Sequence, residues 1–273
     1  MPGIGLIARE HSTDAAAALR DVAAWLLARG RASVILTRES VPTDDLELIV
    51  AFGGDGTLLG AAHALATAGL ETPVLGVNLG RLGFLTEVSR GEMFTALEAV
   101  LAGAFRTETR LMLRGRVLRG GLVMAERLAL NDIVITRGAL SRMIEVDVLV
   151  DDQAVTHIQA DGVIVATATG STAYNLSAGG PIVMPSVDAL VLTPIAPHAL
   201  SQRPVVLPAT ATVSLAPVVD DRADLSATFD GQFGVDLQAG DVVTVARAAR
   251  GLRLVRVSDR SHFDMLREKL RWG

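Results

Sequence analysis

The chain has 273 residues, of which 50% are hydrophobic and 20% charged, as is typical of a folded globular protein of about two domains. Its net charge of −5 disfavours nucleic acid as a partner, because nucleic acid is bound through clustered basic side chains. The chain has no cysteine and one lysine, Lys269, which excludes disulfides, thiolate metal sites, cysteine nucleophiles and a P-loop.

Strand-like and helix-like segments alternate over the first hundred residues. The predicted strands cover residues 4–8, 34–36, 48–52 and 74–77, and the predicted helices cover residues 12–29, 58–68 and 92–102. Strands that alternate with helices indicate βαβ units around a parallel sheet. We therefore expect a Rossmann-like α/β domain over residues 1–105.

The pattern changes after this point, and strand signals dominate residues 106–257. Valines and isoleucines recur at every second position over residues 144–150, and residues 210–215 and 241–245 behave similarly. This pattern predicts an all-β sandwich domain over residues 106–257. Helical spacing returns over residues 261–272, and we expect residues 258–273 to pack back on the first domain.

No targeting or membrane segment is recognisable in the sequence. The N-terminus lacks the basic segment and apolar core of a signal peptide. No apolar run reaches the ~18 residues that span a bilayer. We expect a cytoplasmic protein without a membrane partner.

The first candidate site is the GGDGT turn of residues 53–57, between a predicted strand and a predicted helix. Glycines let a backbone approach a phosphate, and free N–H groups at a helix N-terminus favour an anion. Asp55 would repel a phosphate unless it holds a cation or accepts a proton, so it is a candidate general base or metal ligand. The alternative is a tight turn in which Asp55 caps the helix.

The second candidate site lies in residues 161–181, where a predicted strand leads into a cluster of hydroxyl-bearing and small residues. Tyr174 is the only tyrosine of the chain, and its ring is suited to stacking on a base. The alternative is a Ser/Thr-rich turn with a half-buried tyrosine.

The third candidate site is the polar pair Asn131 and Asp132, which interrupts an apolar strand pattern. Adjacent strand residues point to opposite faces, so at most one of them faces the core. Either side chain is suited to an adenine edge or a ribose. The alternative is a β-bulge or the start of a strand.

Together these segments resemble the NAD kinases. The matching segments, in family order, are residues 53–57, the N-x-G-x-x-G-F-L segment at 78–85, the pair at 131–132, residues 161–162 with 170–174, and the D-G-Q turn at 230–232. The resemblance implies an α/β domain, a β-sandwich domain, and transfer of the γ-phosphate of a nucleotide to the 2′-hydroxyl of the adenosine ribose of NAD. Asp132 replaces the family's commoner Glu, and Gln159-Ala160 precede Asp161 where many members have Arg-Gly.

The resemblance also implies roles for individual residues. Asp55 would be the catalytic residue, and the phosphate loop would comprise Gly53, Gly54, Gly56 and Thr57. The NAD-binding residues that it implies are Asp55, Gly56, Asn131, Asp132, Arg142, Gln159, Asp161, Thr172, Ala173, Tyr174, Asn175, Leu176, Ser177 and Gln232. It implies Mg²⁺ that accompanies the phosphoryl donor, no metal site of the protein's own, and a homodimer or homotetramer.

Two other functions compete with NAD kinase on the sequence alone. Diacylglycerol, sphingosine and phosphofructo-kinases share the GGDGT turn, although they would not need the segment around Tyr174. An NAD-binding sensor without catalysis would not need Asp55. The sequence leaves the donor open among ATP, other triphosphates and polyphosphate.

Overall fold

The computed structural model describes residues 3–37, 43, 45–80, 83–138, 143–218 and 225–272. The chain divides into two compact units: unit 1 comprises residues 1–110 and 250–273, and unit 2 comprises residues 111–249. Within the described residues no helix is both long and apolar enough to cross a membrane.

Unit 1 begins as an alternation of strands and helices. Its first elements are β1 (Gly3–Ala8), α1 (Thr13–Leu27), β2 (Ser33–Leu36), β3 (Leu46–Phe52), α2 (Asp55–Ala68), β4 (Val74–Asn78), β5 (Val88–Ser89), a 3₁₀ turn (Arg90–Glu92), α3 (Met93–Leu101) and β6 (Arg106–Arg110). The alternation that the sequence predicts is therefore present.

Unit 2 consists almost entirely of strands, after which the chain returns to unit 1. Unit 2 contains β7 (Leu113–Arg119), β8 (Leu122–Ala129), β9 (Asp132–Arg137), β10 (Ile144–Val150), β11 (Gln153–Ala160), β12 (Gly162–Thr167), a 3₁₀ turn (Gly170–Thr172), α4 (Tyr174–Ser177), β13 (Ala189–Ile195), β14 (Val205–Pro208), β15 (Val213–Val218), β16 (Leu225–Phe229), β17 (Phe233–Asp236) and β18 (Asp241–Arg247). The last elements of unit 1 are β19 (Leu252–Arg256) and α5 (His262–Leu270).

The sheet of unit 1 has the strand order β2-β1-β3-β4-β19-β6, with β5 beside β4. All its neighbouring pairs are parallel except β19 and β6, which are antiparallel. Helix α1 begins where the Ser12 side chain accepts the backbone N–H of Ala15, and it buries one face, including Leu19, Val22 and Leu26. Because β3 and β4 are parallel neighbours, the turns that follow them leave the same edge of the sheet.

The division into units differs from the sequence-based boundaries at residues 105 and 257. The sequence pattern places strands β6 and β19 in the β domain, but they pair with each other in the sheet of unit 1, from Arg106 with Arg256 to Arg110 with Leu252. This pairing joins residues that lie 142 (Arg110 and Leu252) to 150 (Arg106 and Arg256) positions apart in the chain. The pattern of hydrophobic residues along the chain does not indicate a contact between segments so far apart.

Unit 2 contains two six-stranded antiparallel sheets. Their strand orders are β11-β10-β15-β18-β7-β8 and β14-β13-β12-β9-β16-β17. Inward-facing valine, isoleucine, leucine and phenylalanine side chains of both sheets form one core, in which Phe229 and Ile133 are fully buried. The predicted α/β domain and β-sandwich domain are both confirmed.

Candidate active site

The GGDGT turn lies at the carboxyl edge of the sheet of unit 1. Gly53 follows β3 directly, and its backbone N–H donates to the carbonyl of Val77 in β4 at 2.9 Å. Gly54 is the N-cap of α2, and Asp55 is the first residue of the helix. The first N–H groups of a helix have no intrahelical acceptors, so this turn presents a positive N-terminus, as an anion site requires.

The Asp55 carboxylate accepts four hydrogen bonds from residues 84–86. The backbone N–H of Phe84 donates to Oδ2 at 2.8 Å, and those of Leu85 and Thr86 donate to Oδ1 at 3.1 Å each. The Thr86 hydroxyl also donates to Oδ1, at 2.9 Å. Each carboxylate oxygen offers about two lone-pair sites, so three of these donors saturate Oδ1, whereas Oδ2 accepts one hydrogen bond from the loop.

The helix-cap alternative for Asp55 is therefore wrong. No side-chain hydrogen bond caps α2, and its capping position belongs to Gly54. Asp55 instead joins the GGDGT turn to the second part of the N-x-G-x-x-G-F-L segment. The approach is so close that a Cβ on Gly83 would lie 1.8 Å from Asp55 Oδ1, which explains a glycine at this position.

Asn78 supports the same loop from the end of β4. Its side chain is buried, its Nδ2 donates to Thr86 Oγ1 at 2.8 Å, and its Oδ1 accepts the backbone N–H of Gly80 at 2.8 Å. Thr86 Oγ1 thus accepts from Asn78 and donates to Asp55. The carboxylate is held in one orientation by a chain of buried polar groups.

A second polar site lies within unit 2, in a cavity of about 360 Å³. A volume of this order is suited to a small-molecule ligand. Nine residues line it: Asn131, Asp132, Val134, Thr136, Ala173, Tyr174, Thr228, Asp230 and Gly231. The structure therefore brings together the polar pair, the tyrosine and the D-G-Q turn, which are far apart in the sequence.

Asp230 shapes the turn on which Asn131 and Asp132 lie. Its Oδ2 accepts the backbone N–H of Leu130 at 2.8 Å, and its Oδ1 accepts those of Asn131 at 2.7 Å and Asp132 at 3.1 Å. Its own N–H donates to the carbonyl of Asp132 at 2.9 Å, from a backbone with φ 52°. Sequence reasoning assigned Asp230 no role, although the D-G-Q triplet was the signal that marked it.

Asp132 is the buried acid of this cavity. Its side chain has no hydrogen-bond partner among the described residues, and only 5% of the residue is exposed. Burial, with a smaller contribution from the nearby Asp230 carboxylate, raises the pKa of Asp132 to about 7. Asp132 starts β9, so the alternative of a strand start also describes its backbone.

The segment after β12 is fastened to the same turn. The Thr167 hydroxyl donates to the carbonyl of Leu130 at 2.7 Å and accepts the backbone N–H of Gly170 at 2.9 Å, while the Thr167 N–H donates to the carbonyl of Asn131 at 2.8 Å. A Cβ on Gly170 would lie 2.0 Å from that Asn131 oxygen, so only glycine fits here. These bonds place Ala173 and Tyr174 beside Asn131.

Tyr174 and Asn175 have opposite environments in the short helix α4. Tyr174 is 45% exposed and lines the cavity, as a ring that stacks on a ligand requires. Asn175 is fully buried: its Nδ2 donates to the carbonyls of Ser171 and Pro181, and its Oδ1 accepts from the Thr193 hydroxyl. We therefore reassign the Asn175 side chain from NAD binding to the fold, because all its polar atoms are used internally.

The other predicted site residues lie in different positions. Thr172, Leu176 and Ser177 lie beside Ala173 and Tyr174 but not in the cavity lining. Gln159 is exposed and donates to Glu145 at 3.1 Å, and the backbone of Gln232 closes a turn on Phe229 at 2.9 Å. Arg142 lies outside the described residues.

Asp161 precedes β12 and has a partner that the sequence did not indicate. Arg137 Nε donates to Asp161 Oδ1 at 2.9 Å, and both side chains are partly exposed. The side chain is therefore oriented by a cation without being buried. A partly exposed ion pair of this kind contributes little to stability, about 0–1 kcal/mol.

Within the described residues, no cluster of three or more His, Cys, Asp or Glu side chains is arranged to hold a metal ion. Mg²⁺ in phosphoryl-transfer enzymes is commonly held by one or two carboxylates together with substrate phosphates and water.

The comparisons with known proteins agree on one family. The model of the ATP-NAD kinase N-terminal domain matches residues 37–105, and that of the ATP-NAD kinase C-terminal domain matches residues 130–257. The NAD kinase of Syntrophotalea carbinolica is 43% identical over 286 residues, covering 100% of this chain and 99% of that protein. The NAD kinase of Heliobacterium modesticaldum is 45% identical over 285 residues, covering 100% of both.

Two solved structures share the fold. Yeast NADH kinase complexed with NADH has a TM-score of 0.89 at 24% identity, covering 99% of this chain and 88% of that chain. An NAD kinase from Archaeoglobus fulgidus in complex with ATP has a TM-score of 0.79 at 27% identity, covering 99% and 100%. The matching family models and relatives define a nucleotide-dependent phosphotransferase. The chain belongs to the NAD kinase family.

Proposed function

We propose that this chain transfers the γ-phosphate of ATP to the 2′-hydroxyl of the adenosine ribose of NAD, giving NADP. The observation that carries the proposal is the cavity of unit 2, in which an exposed aromatic ring, an amide and a buried acid converge. An aromatic ring stacks on a base, and an amide is suited to hydrogen bonding on its edge. A buried acid gains hydrogen bonds when ribose hydroxyls approach it. The family relationship supports the same substrates.

Asp55 is the proposed general base. A ribose hydroxyl is a weak nucleophile, and its proton must leave as its oxygen bonds to the γ-phosphorus. The bond from that phosphorus to the β,γ-bridging oxygen breaks, ADP leaves, and the proton passes to Asp55. Because residues 84–86 direct three of their four hydrogen bonds to Oδ1, the hydroxyl would approach the carboxylate at Oδ2, which accepts only the Phe84 N–H from this loop.

The turn at residues 53–57 is the proposed phosphate site of the reaction. This loop would comprise Gly53, Gly54, Gly56 and Thr57, in which the N–H groups of Gly53 and Thr57 already donate to the carbonyls of Val77 and Gly54. The N-terminus of α2 and the absence of side chains at the glycines would favour the donor phosphates here. Mg²⁺, as the partner of the donor phosphates, would supply positive charge that offsets their repulsion of Asp55. Arg142, Asp161 and Gln232 remain proposed NAD contacts on the family resemblance.

We also propose a cytoplasmic location and a homo-oligomer, a dimer or a tetramer, both on the family resemblance. Light scattering on the purified protein tests the assembly, and fractionation of the source cells tests the location.

The activity is tested by incubating the purified chain with NAD, ATP and MgCl₂ and assaying NADP by its reduction with glucose-6-phosphate dehydrogenase. We expect NADP to form only when ATP and the metal are both present. Phosphorylation of fructose 6-phosphate or a diacylglycerol without NADP would contradict the proposal in favour of another GGDGT kinase. NAD binding without turnover would contradict it in favour of a sensor.

A further inference from the structure

The loop that binds Asp55 is itself fixed at its far end. Glu87 follows Thr86 directly, and its side chain is only 3% exposed. Its Oε2 accepts Nη1 of Arg256 at 2.7 Å, and its Oε1 accepts the backbone N–H of Val257 at 3.0 Å and of Ser258 at 3.4 Å. Residues 83–87 are thus held by Asp55 at one end and by the end of β19 at the other.

The C-terminal part of unit 1 makes a second contact with this loop. The ring of His262, the first residue of α5, lies 6.2 Å from the ring of Phe84 between centroids. Phe84 is the residue whose N–H donates to Asp55 Oδ2. Arg256 is buried and is held in turn by Glu108, whose Oε2 accepts Arg256 Nε at 3.2 Å. The loop is thus connected to β19, β6 and α5.

The position of the Glu87–Arg256 ion pair indicates a role besides stabilising the fold. A buried ion pair is weak evidence for a stability role, since apolar residues of similar volume often replace such a pair without loss. Here the pair begins one residue after the last donor to Asp55. A displacement of the loop by one hydrogen-bond length would change which donors face the carboxylate.

We propose that Glu87 and Arg256 are positioning residues for Asp55, through which the C-terminal part of unit 1 sets the orientation of the carboxylate. The inference rests on the proposed function, in which Asp55 acts on the 2′-hydroxyl. Neither residue touches a substrate. Each acts through the backbone N–H groups of residues 84–86.

The test compares Glu87→Gln with Asp241→Asn, a matched control in unit 2. Asp241 is also a buried carboxylate, bound by Arg119 at 2.7 and 2.9 Å and by the backbone N–H of Gln238 at 2.8 Å. Each substitution replaces a carboxylate with a neutral amide. The NH₂ group of the amide then faces an N–H donor that the carboxylate oxygen accepted from. We expect similar losses of Tm, so that general destabilisation is matched.

Two readouts decide the outcome. In Glu87→Gln, we expect amide hydrogen exchange at residues 84–86 to be at least about tenfold faster. We expect kcat to fall at least about tenfold while KM for NAD stays within about twofold. In Asp241→Asn, exchange at residues 84–86 and kcat should both stay within about twofold of wild type.

Unchanged exchange at residues 84–86 would overturn the inference, as would faster exchange with unchanged kcat or an equal loss of kcat in Asp241→Asn. If Glu87→Gln does not fold, Arg256→Lys keeps the charge but loses the guanidinium fork, and the same criteria apply to it. A wild-type protein that forms no NADP would overturn the proposed function, and the inference with it. That failure is distinct because it is seen before any variant is compared.

Discussion

Asp132 and Asp230 are joined by two hydrogen bonds across the turn that begins β9. The N–H of Asp132 donates to the Asp230 carboxylate at 3.1 Å, and the N–H of Asp230 donates to the Asp132 carbonyl at 2.9 Å. The two side chains differ in role, because Asp230 is bonded to three backbone N–H groups. The Asp132 side chain faces the cavity, with its pKa raised to about 7 by burial and by Asp230.

Asp132 should make the protein less stable as pH rises. The folded protein binds its proton up to about pH 7, whereas the unfolded chain releases it near the ordinary value of 3.8. This stabilisation is complete below the unfolded pKa and is lost as pH rises through the folded pKa. Asp132→Asn should therefore gain roughly 2–4 kcal/mol of unfolding free energy over wild type between pH 4 and pH 8, at about 1.4 kcal/mol per tenfold change in proton affinity.

Urea unfolding of both proteins at several pH values measures this difference. Asp236→Asn is the control, because Asp236 is exposed at the end of β17. A difference in unfolding free energy between Asp132→Asn and wild type that does not change with pH would contradict the raised pKa of Asp132.

Asp230→Asn should weaken NAD binding. Asparagine tolerates the positive φ of 52° at this position, so the change mainly replaces one accepting oxygen with an NH₂ group and leaves at least one of the three N–H groups without its acceptor. Unpairing such donors costs about 1–3 kcal/mol, and we expect a similar loss of stability and an increase in KM for NAD of about tenfold or more. Steady-state kinetics beside Asp236→Asn measure the effect. An unchanged KM in a folded Asp230→Asn protein would show that the turn does not serve the substrate.

Tyr174→Ala should weaken NAD binding without harming the fold, because the ring is 45% exposed. Base–aromatic stacking contributes roughly 1–3 kcal/mol, which corresponds to a loss of affinity of roughly 5- to 150-fold. Tyr174→Phe keeps the ring and should bind NAD nearly as well as wild type. Isothermal titration calorimetry checks both variants, and equal affinity in all three proteins would exclude stacking.

Asp161→Ala should raise KM for NAD while Tm stays near that of wild type. The pair with Arg137 is partly exposed, so its loss should cost no more than about 1 kcal/mol. Arg137→Ala removes the partner that orients the carboxylate, and we expect a smaller change of KM in the same direction. A collapse of Tm with normal kinetics in the folded fraction would assign Asp161 to the fold.

The sequence predicted the local elements better than their partners. The alternation of strands and helices, the turn after β3 and the period-2 pattern of β10 all follow from residues close in the chain. The pairing of β6 with β19 and the bonds from Asp230 to residues 130–132 join segments 98 or more residues apart. Such contacts leave no periodicity in the sequence.

The candidate site was predictable as a set of motifs but not as a set of roles. Asn175 lies among hydroxyl-bearing residues that resemble ligand contacts. Its side-chain amide, however, is fully hydrogen-bonded to Ser171, Pro181 and Thr193. A general preference for aspartate at helix starts favours Asp55 as a helix cap, but this preference does not identify the partners of the Asp55 carboxylate. Its actual partners lie about 30 residues later, where a loop returns to the same sheet edge.

The structure changes how a substitution at Asp55 must be interpreted. Asp55→Asn loses the charge, and it also turns an amide towards the N–H donors of residues 84–86. Thr86→Val is the matched control, since it removes one of the four hydrogen bonds to Asp55, together with the acceptor of Asn78 Nδ2, and leaves the charge. A loss of activity caused only by a disturbed loop should appear in both variants.

The most direct measurement of the central claim is the rate of NADP formation by Asp55→Asn at saturating NAD and ATP with Mg²⁺. General-base assistance is typically worth ~10² to 10⁴ in rate, so we expect turnover to fall at least ~10²-fold. The affinity for NAD should stay within a few-fold of wild type, and Thr86→Val should lose far less turnover than Asp55→Asn. Turnover by Asp55→Asn near that of wild type would contradict the assignment of Asp55 as the catalytic residue.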